Sequence, residues 1–437
     1  MKTSGFFGDL IATLFERAPW MEAPPGERPL RAMCEELLAG NGEVTGMRIA
    51  RAILSRYKSL SDEDKVAFFE FLTEELDIDP RAIEMAASAY AAAPDVDGLA
   101  RLSAAAEPPR QELLRRLNRV PGATGELVRM RLDLLRLAPE HRQFERADLD
   151  FVHLFKSWFN RGFLVLRHID WHTPANILEK IIQYEAVHAI NSWEELRRRL
   201  LPVDRRCFAF FHPSMPDEPL IFVEVALVSG IPGSIHALLA EAHDPVAPAR
   251  ADTAVFYSIS NCQEGLRGIS FGNSLIKQVV EELSQELPHL KNYVTLSPIP
   301  GLTRWLASRA EHDGRIAALL AAASAGPDGL SGHDDALREL AAHYLAEEKR
   351  PDGLPLDPVA RFHLGNGALV HEVHAGADLS ANGLRQSCGA MVNYLYEPLS
   401  VEQNHEDFVA NGTVASSRSI KSLVRASAAH LGKVPHA

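Results

Sequence analysis

Two rhythms of apolar residues divide this chain. Up to about Phe159 they recur every three or four positions; beyond it they alternate or run unbroken. RAMCEELLAG, MRIARAILSRYKSL, SDEDKVAFFEFLTEEL, RQELLRRLNRV and ATGELVRMRLDLLRLA each place apolar side chains at i, i+3, i+4, the spacing of one face of a helix. Ser61, followed by Glu63 and Asp64, makes a helix start with acids in the first turn. Pro80, the stretch AAAPDVDG and Pro108-Pro109 interrupt the helical pattern. No internal repeat stands out.

After Phe159, FLVLRHIDW and RCFAFFH read as strands, with the helix ILEKIIQYEAV between them. PLIFVEVALV is the near-continuous β-rich run of a buried central strand. AVFYSIS and NYVTLSPIPG are strands on either side of the helix SLIKQVVEELSQEL. An alanine-rich helical insert (Arg315 to Glu348) follows. VARFHLGNGALVHEVH and CGAMVNYLYEP read as late strands. The expected fold is therefore α+β: an N-terminal all-helical bundle, residues 1–159, then a mixed-sheet α/β domain, residues 160–437. The bundle's apolar stripe suits self-association into a homo-oligomer.

Composition narrows the partners. A formal charge of −13 opposes nucleic acid as the main ligand, because phosphate-backbone binding needs a basic surface. Cys34, Cys207, Cys262 and Cys388 are scattered without a CxxC pair, which fits a reducing compartment and no zinc site. No signal peptide and no run of about 18 apolar residues is read, so a cytoplasmic protein without a membrane span is expected. No metal is expected either: Glu185 with His188 is a single E-x-x-H, and HEVH (His371 to His374) is not H-E-x-x-H.

The chemistry gathers in Thr253 to Gly301. There a strand leads through the glycine-rich turn QEGLRGISFGN into a helix, then a strand that ends in Ser297-Pro298. Such a turn aims backbone N–H groups and the positive end of the helix dipole at an anion. GISFG admits two functional readings. As a phosphate turn it uses Gly265, Gly268 and Gly272 for close backbone approach. As a G-x-S-x-G elbow it makes Ser270 a nucleophile, although the βαβ units of a hydrolase are missing. Ser297 ends the strand beside this turn, where the far end of a phosphate-held ligand would lie. His363, followed by Gly365, Asn366 and Gly367, is a histidine in thinned backbone, suited to proton transfer. HPSMPDEP (His212 to Pro219) reads as a rigid loop between strands, and Lys277 and Arg304 are further cations for a phosphate.

WHTPANILEKIIQYEAVH, RRCFAFFHPSMPDEPLIFVEVAL, FYSISNCQEGLRGISFGNSLIKQVVEEL, LSPIPG, DPVARFHLGNGA and CGAMVNYLY together closely resemble the malonyl-CoA decarboxylase family. They run from about Trp171 to Tyr396. The resemblance implies a catalytic domain like the GNAT acyltransferases, with a turn between two splayed strands that cups the CoA pyrophosphate. It implies substrate binding by Arg267, Gly268, Ile269, Ser270, Phe271, Gly272 and Asn273. It implies Ser297 as proton acceptor, His363 as proton donor and Tyr396 beside them, with no cofactor and with malonyl-CoA and acetyl-CoA as the bound molecules. Mammalian family members carry glutamate at the position of Ser270, so the resemblance carries over no role of that glutamate and requires no nucleophilic serine here. A CoA-dependent acyltransferase, a thioester hydrolase acting through Ser270 and a non-catalytic malonyl-CoA-binding module are the competing expectations.

Overall fold

A computed structural model describes residues 28–40, 42–242, 244–269 and 275–428. The chain divides into two compact units, Met1–Phe155 and Lys156–Ala437.

The first unit is helical throughout its described residues. The periodic segments fold as helices Leu30–Leu38, Glu43–Lys58, Asp62–Glu70, Pro109–Leu117 and Ala123–Leu137. Ser61 caps the third of these, its hydroxyl accepting the Asp64 N–H at 3.1 Å. Three further helices, Pro80–Ala92, Val96–Ala105 and Glu145–Trp158, lie where no periodicity was read. Their starts are nonetheless written in the chain. Asp79 and Asp95 cap the first two through Arg81 N and Gly98 N, and Pro80 occupies the first turn, where its missing N–H costs nothing. The core is built from residues such as Ile53, Phe69, Leu113, Leu127 and Phe144, all fully buried.

The second unit is built on one mixed sheet. Its strands are β1 (Val165–Ile169), β2 (Arg205–His212), β3 (Met215–Val228), β4 (Thr253–Asn261), β5 (Asn292–Thr295), β6 (Ser297–Pro298), β7 (Leu369–His374) and β8 (Met391–Leu395). The order is β1-β2-β3-β4-β5-β8, with β6 and β7 also paired to β8. All neighbours are antiparallel except β4 and β5, which the helix Leu275–Glu286 connects as a parallel pair. β3 is central and buried on both faces, which explains its unbroken apolar run. One charge interrupts that run. Glu224 is fully buried and accepts from Arg199 Nη1 at 2.9 Å.

Two expectations need correction. Residues 212–219 are not a loop: β2 reaches His212 and β3 begins at Met215, leaving a two-residue turn whose Ser214 N–H donates to His212 Nδ1 at 3.1 Å. Nor is His363 on a strand. Pro358–Gly365 is a helix, and the strand begins only at Leu369. Asp357 nucleates this helix by accepting Val359 N–H and Ala360 N–H, both at 2.9 Å, and Pro358 sits in its first turn. Ala360, His363 and Leu364 then share its buried face at helical spacing.

Candidate active site

The β4–β5 pair opens as it proceeds. Its register runs only from Thr253↔Asn292 to Phe256↔Thr295, although β4 continues to Asn261. After Leu296, whose N–H donates to Phe256 O at 3.1 Å, the chain turns away and Ser297 pairs with Val392 of β8. The result is the splayed strand pair expected of an acyltransferase-like domain, with Ser297 on the departing side.

Three side chains from three segments meet there. Ser297 Oγ lies 3.1 Å from His363 Nε2. His363 Nδ1 lies 2.8 Å from the Tyr396 hydroxyl. Tyr396 follows β8 directly, fixed by its N–H to Tyr293 O at 2.8 Å. Ser297, His363 and Tyr396 are all buried. Burial pushes the His363 pKa down to about 3, so the ring is neutral, and it raises the Tyr396 phenol above its usual range.

The surroundings add residues that the sequence did not single out. Thr295 is fully buried two positions before Ser297 and accepts its O–H at 2.9 Å. Tyr394 stacks on the His363 ring, with centroids 4.5 Å apart and planes at 24°. Phe362 meets the same ring edge-on at 5.1 Å. The signal for Thr295 and Tyr394 was period-2 alternation: Thr295/Ser297 and Tyr394/Tyr396 each point to one face. Gly365 and Gly367 do not open the backbone to a ligand. Gly367 (φ +84°) lies against the Val401 carbonyl, where a Cβ would collide, so the Gly-Asn-Gly run ends the helix and packs closely.

The turn is described through Ile269. Ser270, Phe271, Gly272 and Asn273 lie outside the described residues, and so does any test of Ser270 as a nucleophile. Gly268 adopts φ +81° with open space where a side chain would stand, so the site needs glycine for conformation rather than space. Beside it, Asn261, Gln263, Leu266 and Arg267 line part of a cavity of about 410 Å³. Lys277 lies on the helix after the turn and Arg304 on the helix Leu302–Arg309. Among the described residues no group of three or more His, Cys, Asp or Glu side chains converges in a way that could hold a metal ion. No helix among them is long and apolar enough to cross a membrane.

Comparison with known proteins agrees along nearly the whole chain. The profile of the malonyl-CoA decarboxylase C-terminal domain matches residues 162–434, and that of the N-terminal domain matches residues 76–159. A rat protein named mitochondrial malonyl-CoA decarboxylase is 35% identical over 371 residues, which cover 74% of this chain and 73% of the rat protein. The crystal structure of malonyl-CoA decarboxylase from Rhodopseudomonas palustris superposes with a TM-score of 0.84 at 47% identity, covering 92% of this chain and 100% of that one. The structure from Agrobacterium vitis gives 0.85 at 48% identity, over 90% of this chain and 99% of that one. On the joint weight of both domain profiles, these relatives and the fold, the chain belongs to the malonyl-CoA decarboxylase family.

Proposed function

We propose that this protein converts malonyl-CoA to acetyl-CoA and CO2, with Ser297 and His363 handling the proton. The observation that carries the reading is the buried Ser297–His363–Tyr396 chain at the mouth of the splayed β4–β5 pair. The pyrophosphate of CoA is held by the turn from Arg267 to Asn273, at the start of the helix Leu275–Glu286. That anchor directs the acyl end toward the strand gap and fixes it beside the catalytic pair.

The substrate supplies its own electron sink. The bond from C2 to the carboxylate breaks, CO2 leaves, and the electron pair passes into the thioester carbonyl as an enolate. No metal or organic cofactor is needed for that step. Removing water from the carboxylate favours its loss, and Tyr394 against the His363 ring and Phe256 against Tyr396 keep the proton-handling groups in apolar surroundings. The Ser297 hydroxyl orients the substrate and hands a proton to C2. His363 replaces that proton from Nε2 while the Tyr396 O–H passes its own proton to Nδ1, so the ring stays neutral and the phenol oxygen is left to be reprotonated. Solvent restores the proton after product leaves.

Malonyl-CoA supplied alone is expected to yield CO2 and acetyl-CoA in equal amounts. Ser297→Ala and His363→Ala are each expected to lower kcat by about 10²–10⁴-fold, the usual worth of general acid–base assistance, while malonyl-CoA still binds. Normal turnover in His363→Ala would remove it as the proton donor. A requirement for an amine acceptor would point instead to acyl transfer. Release of free CoA and malonate would point to hydrolysis, and intact malonyl-CoA to a binding module. The helical N-terminal unit, in the same reading, assembles copies of the chain.

A further inference from the structure

We infer that Thr295 is a positioning residue: it sets the direction of the Ser297 hydroxyl and, through it, which ring nitrogen of His363 carries the proton. The inference rests on the decarboxylation reading only for its kinetic consequence. Thr295 is the last residue of β5 and is fully buried. Bonds from β8 hold it in place. The Tyr394 N–H donates to its hydroxyl oxygen at 3.2 Å, and the Asn393 side-chain amide donates to its carbonyl at 2.8 Å. The rigid Thr295 oxygen in turn accepts the Ser297 O–H at 2.9 Å.

Proton counting does the rest. Ser297 has one hydroxyl proton, and Thr295 receives it. The 3.1 Å contact between Ser297 Oγ and His363 Nε2 then needs its proton from the ring, so Nε2–H donates to the serine. A neutral imidazole has only one N–H, which leaves Nδ1 as an acceptor. Tyr396 meets that need, donating its O–H to Nδ1 across 2.8 Å. The chain therefore runs one way: Tyr396 to His363, His363 to Ser297, Ser297 to Thr295. In this order the ring presents N–H toward the serine. Were Ser297 to donate to Nε2 instead, the ring would present a lone pair there and hold its proton on the Tyr396 side. Thr295 blocks that reversal by offering the serine proton a fixed acceptor.

The test uses the full-length protein labelled with ¹⁵N-histidine and free of substrate. The His363 ring signals are identified by their loss in His363→Gln. Wild type is expected to show the Nε2–H tautomer. Thr295→Val, similar in volume but without the acceptor, is expected to shift the ring toward Nδ1–H. It should also lower kcat by about 10²-fold, the low end of general acid–base effects, with KM nearly unchanged. Thr295→Ser keeps the oxygen and is expected to restore both. An Nδ1–H ring in wild type overturns the inference, and that measurement stands even if Thr295→Val fails to fold. A Thr295→Val enzyme with unchanged tautomer overturns it too, whatever its kcat. If wild type makes no acetyl-CoA from malonyl-CoA, the functional reading fails while the ring spectrum still decides the role of Thr295.

Discussion

The imidazole of His363 pays for its position in acid. Burial holds its pKa at about 3, well below the usual value of about 6.5 for histidine. Between those values the unfolded chain binds a proton that the folded one refuses, so stability falls as pH drops through that window. One such group contributes up to about 1.4 kcal/mol per pH unit. Asp357, at the head of the same helix, has the opposite sign. Burial raises its carboxyl to about 6, so its contribution declines as pH rises through the range above the usual carboxylate value. The difference between wild type and His363→Gln isolates the histidine. Denaturant titrations at pH 7 and pH 5 are expected to show wild type losing more stability than the variant on acidification. At this scale the sequence was partly legible. Ser297 and His363 stood out one by one from their local sequence, but Tyr396 and the grouping of the three came from resemblance to a family, because nothing local marks residues 66 positions apart as neighbours. Thr295 and Tyr394 went unread, although each lies only two positions before a named residue. A hydroxyl whose only task is to receive another hydroxyl's proton has no composition signal.

Among the elements, β3 carries the clearest conflict between burial and charge. Burial raises the Glu224 carboxyl to about 7 even with Arg199 at 2.9 Å. Arg199 also donates to His188 O at 2.7 Å, tying its helix, Trp193–Leu200, to the loop before it. Arg199→Ala leaves an uncompensated carboxylate in the centre of the sheet and is expected to cost about 3–5 kcal/mol. Arg199→Met with Glu224→Gln should recover a large part, read as the denaturant midpoint of each variant. Element types were read well where periodicity and caps agreed, as at Ser61. The stretch from Val359 to Gly365 was read as part of one strand running on to His374, whereas it belongs to the helix Pro358–Gly365. The Asp-Pro pair at 357–358 was the better guide, since it supplies a side-chain acceptor and a residue suited to a first helical turn.

For the molecule as a whole, the division into a helical unit and a sheet unit follows from the change in hydrophobic rhythm near Phe159. The boundary between the two units falls between Phe155 and Lys156, inside the helix Glu145–Trp158, which shows how little a helix that crosses a boundary betrays it. The paired helices Pro80–Ala92 and Val96–Ala105 leave Met85, Val96 and Leu99 exposed. These three exposed apolar side chains are the candidates for the self-association proposed above. Met85→Glu combined with Leu99→Glu is expected to lower the molar mass seen by light scattering without unfolding the chain. An unchanged mass would exclude this hairpin as the contact.

β8 touches almost everything that matters. It pairs with β5, β6 and β7, supplies the ring that stacks on His363, binds Thr295 through an amide and leads directly into Tyr396. One residue inserted between Gly389 and Tyr394 would turn every later side chain to the opposite face. Lengthening the connection Pro327–Leu330, between two alanine-rich helices, would move none of them. Natural length variation should therefore accumulate in that connection and be absent from 389 to 396, giving the protein two very different tolerances for added residues within seventy positions of each other.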